Sequence, residues 1–267
     1  MLSNTDVLFI SHGGGPRPLF NDPDHQALVD RLKYFGQKID KPEAILVISA
    51  HWETDPLKVI ASPAPDLLFD YYNFPDEAYQ IEYACPGNPA LAAQVQQALQ
   101  EQGFPTELEF ERGLDHGVFV PLKLMYPAAD IPVIQLSLNS SLDAEQHLEI
   151  GEAMRNLNTD RLLILGSGFT FHNMRAFYEP SNAQIESANR AFEDWLEQSC
   201  GRSEIDASQM RQRLVNWEQA PHARFCQPRE EHLIPLHVCA GIAGRGADDY
   251  HRILVFNKQC SLYHWRL

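Results

Sequence analysis

The sequence predicts an α/β fold: a single domain over residues 1–267, with a mostly parallel central sheet and helices on both of its faces. Three observations predict it. Short apolar runs of mainly Val, Ile and Leu, such as VLFIS, AILVIS and LLIL, suit central strands covered on both sides. Segments with helical apolar spacing separate these runs, and strand–helix–strand alternation is the mark of a parallel sheet with crossover helices. No repeat or low-complexity tract interrupts the alternation, and a hydrophobic content of 44% is ample for one sizeable core.

In chain order, strands are expected at Asp6–Ser11, Ala44–Ser49, Lys58–Ala61, Pro132–Leu136, Arg161–Leu165 and Ile253–Phe256, with a last hairpin strand at Ser261–Trp265. The first helix, Asp24–Gln37, carries Leu28, Leu32 and Phe35 on one face with Asp24 as its cap. The second, Asn88–Gln102, opens with Pro89 in its first turn and stops before Gly103. Further helices are expected at Asp143–Asn156, Ser181–Gln198, Ala207–Trp217 and Arg229–Ala243. The Pro-rich stretch from Ser62 to Pro75 reads as a long loop bearing Phe69, Tyr71, Tyr72 and Phe74, and such loops are often lids or binding loops.

A formal charge of −15 excludes a phosphate-backbone partner, since nucleic-acid binders need a basic footprint. The five cysteines are odd in number and form no C-x-x-C pair, as expected of reduced thiols. No membrane-spanning run appears, and the apolar start Val7–Ile10 is too short for a signal-peptide core, so a cytoplasmic protein is expected.

Chemistry is concentrated in histidines. His12 and His51 follow two expected strand ends, and His172 lies a few residues past a third. Ligands of open parallel sheets bind outside the carboxyl ends of the strands, so these imidazoles share one rim. His232, in PREEHLIPL, stands near a helix start that can face the same rim, and His116 sits in a loop, GLDHG, before another helical segment. A metal site at the strand C-terminal edge is the simplest reason for such a set. Histidine-rich sites with open positions suit Fe(II), Zn and similar ions rather than Mg or Ca. The other histidines, His25, His147, His222, His237, His251 and His264, lack this placement and read as structural or surface groups.

The run His12-Gly13-Gly14-Gly15 has two familiar readings, an esterase oxyanion loop and a phosphate cradle. The first lacks its G-x-S-x-G elbow, and the second lacks both G-x-G-x-x-G and a Lys-Ser/Thr pair. The glycines instead let the backbone turn sharply and pass close to a ligand.

Read together, SHGGGPRPL at Ser11–Leu19, SAHWET at Ser49–Thr54, YYNFPDEAYQIEYACPGNP at Tyr71–Pro89, GLDHG at Gly113–Gly117, GSGFTFHN at Gly166–Asn173 and PREEHLIPL at Pro228–Leu236 resemble a known family. In order and spacing they are similar to the DOPA-dioxygenase-type branch of the class III extradiol ring-cleavage dioxygenases, relatives of the protocatechuate 4,5-dioxygenase B subunit. This resemblance spans nearly the whole chain. It implies a non-haem metal held by His12, His51 and His232, with His172 as acid/base or fourth ligand and His116 positioning substrate or oxygen. Distant relatives use a glutamate as third ligand, and Glu230 and Glu231 adjoin His232. Phe169 and Phe171 stand before His172 where smaller or aliphatic residues are expected, which bears on substrate size.

The activity implied is insertion of both atoms of O2 into a catechol ring, DOPA-like or related, giving a muconic semialdehyde-type product. Fe(2+) would serve activity, while Zn(2+), which binds such sites more tightly, can fill an isolated sample. Phe69, Tyr72 and Phe171 are candidates for the substrate wall, and Arg17 and Arg175 for a substrate carboxylate; Asp70 and Asp76 read as solvated loop acids. Two alternatives use the same rim: a zinc-dependent hydrolase and a non-enzymatic metal-binding interaction protein. A tetrapyrrole chelatase shares only the Ser11–Gly13 loop and leaves SAHWET and GLDHG unexplained.

Overall fold

The computed structural model describes every residue except Met1, Ser3, Asn158 and Ser181. Eight strands form one sheet: β1 Asp6–Ser11, β2 Ala44–Thr54, β3 Leu57–Ile60, β4 Thr106–Glu109, β5 Val133–Asn139, β6 Leu162–Gly168, β7 Asp249–Val255 and β8 Lys258–Arg266. Their order is β4-β3-β5-β2-β6-β1-β8-β7. The centre, β5-β2-β6-β1, is parallel, and β8 and β7 close one side as an antiparallel hairpin. The expected mostly parallel α/β architecture is thus present.

Alternation along the central strands divides the core. Val7, Phe9, Leu46, Ile48 and Ile164 point to one layer, and Leu8, Ile10, Ile45, Val47 and Leu163 to the other. The second layer is covered by α1 Gln26–Lys38 and α3 His116–Met125. The first is covered by α2 Pro89–Glu101, α4 Ala144–Met154, α6 Ala183–Cys200, α7 Ala207–Val215 and α9 Ile234–Ala243. Two short helices, α5 Met174–Tyr178 and α8 Ala223–Cys226, complete the set. The chain steps outward from β1 to β2 to β5 and then returns to place β6 between β1 and β2. Because crossovers keep one hand, that reversal sends later helices to the opposite face and opens a crevice at the ends of β1, β6 and β2.

Several boundaries differ from expectation for identifiable reasons. β4 was not expected: Thr106-Glu-Leu-Glu is a charged, four-residue edge strand with no apolar run. β2 continues beyond Ser49 to Thr54, but its pairing with β6 stops at Ser49. Its register with β5 then jumps from Ile48↔Leu136 to Glu53↔Leu138, so His51 lies in a bulge rather than past the strand. α9 starts at Ile234 rather than Arg229 because Pro235 is tolerated only in a first turn. The first helix is preceded by a 3₁₀ turn, Pro23–His25, capped by Asp22 rather than Asp24. Ser181, the expected start of the helix Ser181–Gln198, lies outside the described residues; Asn182 caps α6 by accepting from the Gln184 and Ile185 amides. All five cysteines are buried and unpaired. Among the described residues, no helix is long and apolar enough to cross a membrane.

His147 and His237 belong to the scaffold. His147 donates through Nδ1 to the Asp143 carbonyl at 2.6 Å and accepts from the Asn139 amide through Nε2 at 3.0 Å. Burial lowers its pKa to about 4. The unfolded chain takes up this proton below about pH 6.5, whereas the folded chain does so only below about pH 4, so stability falls across that window as pH falls. Accordingly, the stability gap between wild type and His147→Gln, measured by urea unfolding, should narrow as pH falls from 6.5 to 4. A constant gap would contradict a neutral buried His147.

Candidate metal centre

The crevice at the strand ends holds five imidazoles. His12 follows β1, His51 rides the β2 bulge, His172 lies four residues beyond β6, and His232 occupies the turn before α9. His116, expected in a loop, is instead the first residue of α3, with Asp115 before it. The ring centroids of His12, His51 and His232 form a nearly equilateral triangle with sides of 4.9, 5.0 and 5.3 Å. His116 packs against His51 at 4.1 Å, and His172 stacks on His232 at 3.4 Å with 16° between the planes.

Partners on the outer side fix the tautomers of His12, His116 and His232 and face His51 and His172. The Ser167 hydroxyl donates to the Gly117 carbonyl, so its oxygen is left to accept from His12 Nδ1–H at 3.0 Å. A carboxylate can only accept, so Glu231 receives Nδ1–H of His232 at 2.9 Å and faces His172 Nδ1 at 3.2 Å. Asp70 accepts Nδ1–H of His116 at 2.7 Å, and its other oxygen lies 3.3 Å from His51 Nδ1. The Nε2 atoms of His12, His116 and His232 therefore carry the lone pairs, and Nε2 of His12 meets that of His51 at a separation of 3.1 Å. It is the spacing of two nitrogens bound to one ion at about 2.0–2.1 Å, so the residues fit a metal. Outer carboxylates that orient ligand imidazoles are the usual support of such sites.

Two groups of metal-capable atoms cluster tightly, His12 with His51 and His116, and His172 with Glu231 and His232. The two groups adjoin across the triangle, where His232 packs against both His12 and His51. Burial, followed by the mutual repulsion of the rings, holds the pKa values of His12, His51 and His232 well below the ordinary value. They stay in the neutral form that binds metal. Burial works against Asp70, but hydrogen bonds from His116 and the neighbouring imidazoles outweigh it and keep the carboxyl ionised.

The scaffold behind the rings is polar. Buried Asp115 accepts from Ser49 Oγ at 2.7 Å and from Gln135 Nε2, and Arg112 donates to the His51 carbonyl at 3.2 Å, pinning the bulge. His25, read as structural, accepts the Gly14 amide at 2.9 Å and shapes the glycine turn, where Gly13 has φ +89°.

A cleft of about 850 Å³ opens over the rings. Of the residues expected to line it, Arg17 and Tyr72 do. Phe69 does not; it packs on Tyr71 and Phe119. Phe171 is fully buried against Phe177 and Phe225, and Phe169 takes the wall position. Arg175 points to solvent and pairs with Glu179, because α5 turns Met174, Phe177 and Tyr178 to the cleft at helical spacing. Asp76 is exposed, but Asp70 is a half-buried partner of two imidazoles, a role its loop sequence did not announce. Phe256, at the β7–β8 turn, also reaches the cleft, and nothing in its local sequence signals this.

An α/β sheet with a histidine centre at its strand ends defines a class of metal-dependent enzymes. Residues 8–259 match the family model of the catalytic LigB subunit of aromatic ring-opening dioxygenase, and the chain belongs to that family. It is 38% identical to the 4,5-DOPA dioxygenase extradiol of Beta vulgaris, over 91% of this chain and 88% of that one. It is 37% identical to the dioxygenase tasH of Hapsidospora irregularis, over 89% and 78% respectively. An uncharacterised protein from Escherichia coli K12 shares the fold with a TM-score of 0.75 and 26% identity, covering 97% of this chain and 99% of the other. The chain is therefore an oxidoreductase, a metal-dependent extradiol ring-opening dioxygenase acting on a small molecule and O2.

One constraint of the centre is directly testable. A Cβ on Gly168 would lie 2.1 Å from the His232 carbonyl oxygen, which the Phe169 amide reaches at 2.8 Å. Gly168→Ala should cost about 1–3 kcal/mol in urea unfolding and weaken metal binding by displacing His232. Unchanged stability would show that β6 and His232 are not locked together.

Proposed function

We propose that residues 1–267 act as one catalytic domain that holds Fe(2+) on His12, His51 and His232. The reaction proposed is opening of a catechol ring beside its diol, both oxygen atoms of O2 entering the product, a muconic semialdehyde. The carrying observation is the convergence of neutral imidazoles whose Nδ1 atoms each face a partner on the outer side, with two Nε2 atoms 3.1 Å apart at the floor of an aromatic cleft. When bound, the ion supplies a template that holds both catechol and O2 and passes electron density between them. Zn(2+) can fill the same nitrogens, since it binds them more tightly than Fe(2+).

His172 is the proposed acid/base. Its ring lies flat on His232 and faces the cleft, and Glu231 beside its Nδ1 sets the tautomer that turns Nε2 to a catechol hydroxyl. It would take the hydroxyl proton and return it to the oxygenated ring, a function worth typically about 10²–10⁴-fold. His116, fixed by Asp70, would hydrogen-bond the substrate or O2. Phe169, Tyr71, Tyr72 and Phe74 offer walls for a flat ring. Arg17 lies 5.8 Å from the Phe74 ring and 5.6 Å from that of Phe256, placed to meet the carboxylate of a DOPA-like substrate. Its Nη1 pairs with Asp22 at 2.8 Å, leaving the rest of the guanidinium for a ligand.

Protein loaded with Fe(2+) under anaerobic conditions and then mixed with O2 and a catechol panel should consume oxygen and form yellow products. His172→Ala should retain metal and lose about 10²–10⁴-fold in kcat, whereas His12→Ala, His51→Ala and His232→Ala should lose metal. Silence across the panel would sink the catechol reading, and metal loss in His172→Ala equal to that in the other three would make His172 a ligand.

A further inference from the structure

Asp70 touches two histidines of different proposed roles. Its Oδ1 accepts both the backbone amide of His116, at 3.0 Å, and the His116 ring, at 2.7 Å, while its Oδ2 faces the ring of His51 at 3.3 Å. It is held there by more than its side chain. The Leu68 amide donates to the Leu114 carbonyl and the Leu114 amide to the Asp66 carbonyl, each at 2.8 Å, so the loop is stitched to the segment that leads into His116. Gly113 allows the contact, since a Cβ there would lie 2.9 Å from the backbone of Asp66, Leu67 and Leu68. On the other side of the site, Glu231 repeats the arrangement, with Oε1 between His232 and His172.

We propose that Asp70 is a positioning residue that couples the metal to the substrate, one oxygen orienting His51 for the ion and the other orienting His116 for the catechol. This rests on the reading of His51 as a ligand and His116 as a substrate contact. Loss of the carboxylate then does two separable things. It frees the His51 ring to adopt the other tautomer, which lowers metal affinity, and it frees the His116 ring, which lowers substrate affinity even when metal is saturating.

Asp70→Asn separates these effects from folding. The amide oxygen can still accept the His116 backbone N–H, so the loop stays stitched, but the amide NH2 cannot accept from His51 Nδ1–H. Zn(II) affinity, by competition with a chromophoric chelator, should fall about 10–100-fold in Asp70→Asn and stay within about threefold of wild type in His116→Ala. Binding of 4-nitrocatechol to the zinc-saturated protein should weaken in His116→Ala and in Asp70→Ala, with no further loss when they are combined, and stay near wild type in Asp70→Asn, whose amide oxygen still accepts from the His116 ring. Ring ¹⁵N shifts should report a changed tautomer for His51 in Asp70→Asn, and Asp70→Ser serves if the first variant does not fold. Wild-type Zn(II) affinity in Asp70→Asn, alongside loss in His51→Ala, overturns the proposal alone. Undiminished 4-nitrocatechol binding by zinc-saturated Asp70→Ala does the same. Zn(II) binding by His51→Ala as tight as wild type, or none by the wild type, removes the ligand reading itself.

Discussion

Two imidazole nitrogens, Nε2 of His12 and Nε2 of His51, meet at 3.1 Å and set the terms for this end of the molecule. A proton held between the rings would occupy the lone pairs that a metal needs. The fold opposes a charged or misoriented pair in two ways. Burial makes the charged ring costly, and the neighbouring imidazoles add to the cost. Ser167 and Asp70 commit the opposite nitrogens, so neither ring gains by turning round. Even Ser167 has no freedom, because its one proton is given to the Gly117 carbonyl. The neutral, preoriented state needed for metal is thus fixed two bonds away from the metal.

Close backbone approach makes this geometry possible. Gly168 meets the His232 carbonyl, and Gly117 faces Ser49 Oγ and the His51 ring, with room for hydrogen only. These contacts join four separate parts of the chain, the ends of β6 and β2 and the starts of α3 and α9, into one floor. The topology supplies the opening above it, because the return of the chain to insert β6 parts the flanking helices to opposite faces. Ring-opening chemistry then needs only a wall of aromatics, and the loop at 69–74, α5 and the β7–β8 turn provide one.

Much of this was legible in the sequence. Continuous apolar runs located β1, β2, β5 and β6, since strands buried on both faces have little choice of residue, and His12, His51 and His172 stood out by their position relative to those runs, whereas His232 was placed by a helix start and His116 by the motif GLDHG. What was hidden depended on partners distant in the chain. Asp70 reads as a solvated acid in a Pro-rich loop, and only the stitching of that loop to Leu114 makes it a partner of His51 and His116. Phe69 and Phe171 were misplaced for a similar reason: both are aromatic and near the site, but each is claimed by aromatic neighbours on the core side. Arg175 could have been judged locally, because helical spacing already opposes it to Met174, Phe177 and Tyr178. The charged edge strand β4 carries no pattern that distinguishes it from a loop.

The pairing of β1 with both β6 and β8 bears on how the molecule comes to exist. The ring that stands first in the chain, His12, leans on Ser167, which is 155 residues away, and the triangle closes only with His232. Phe256 then seals the glycine turn from the far side. Contacts of such wide sequence separation form late and slowly. A chain emerging from the ribosome therefore carries the first two imidazoles for most of its synthesis without the means to assemble them. A metal ion is held only by a nearly finished protein, in which the cleft that receives it is already built.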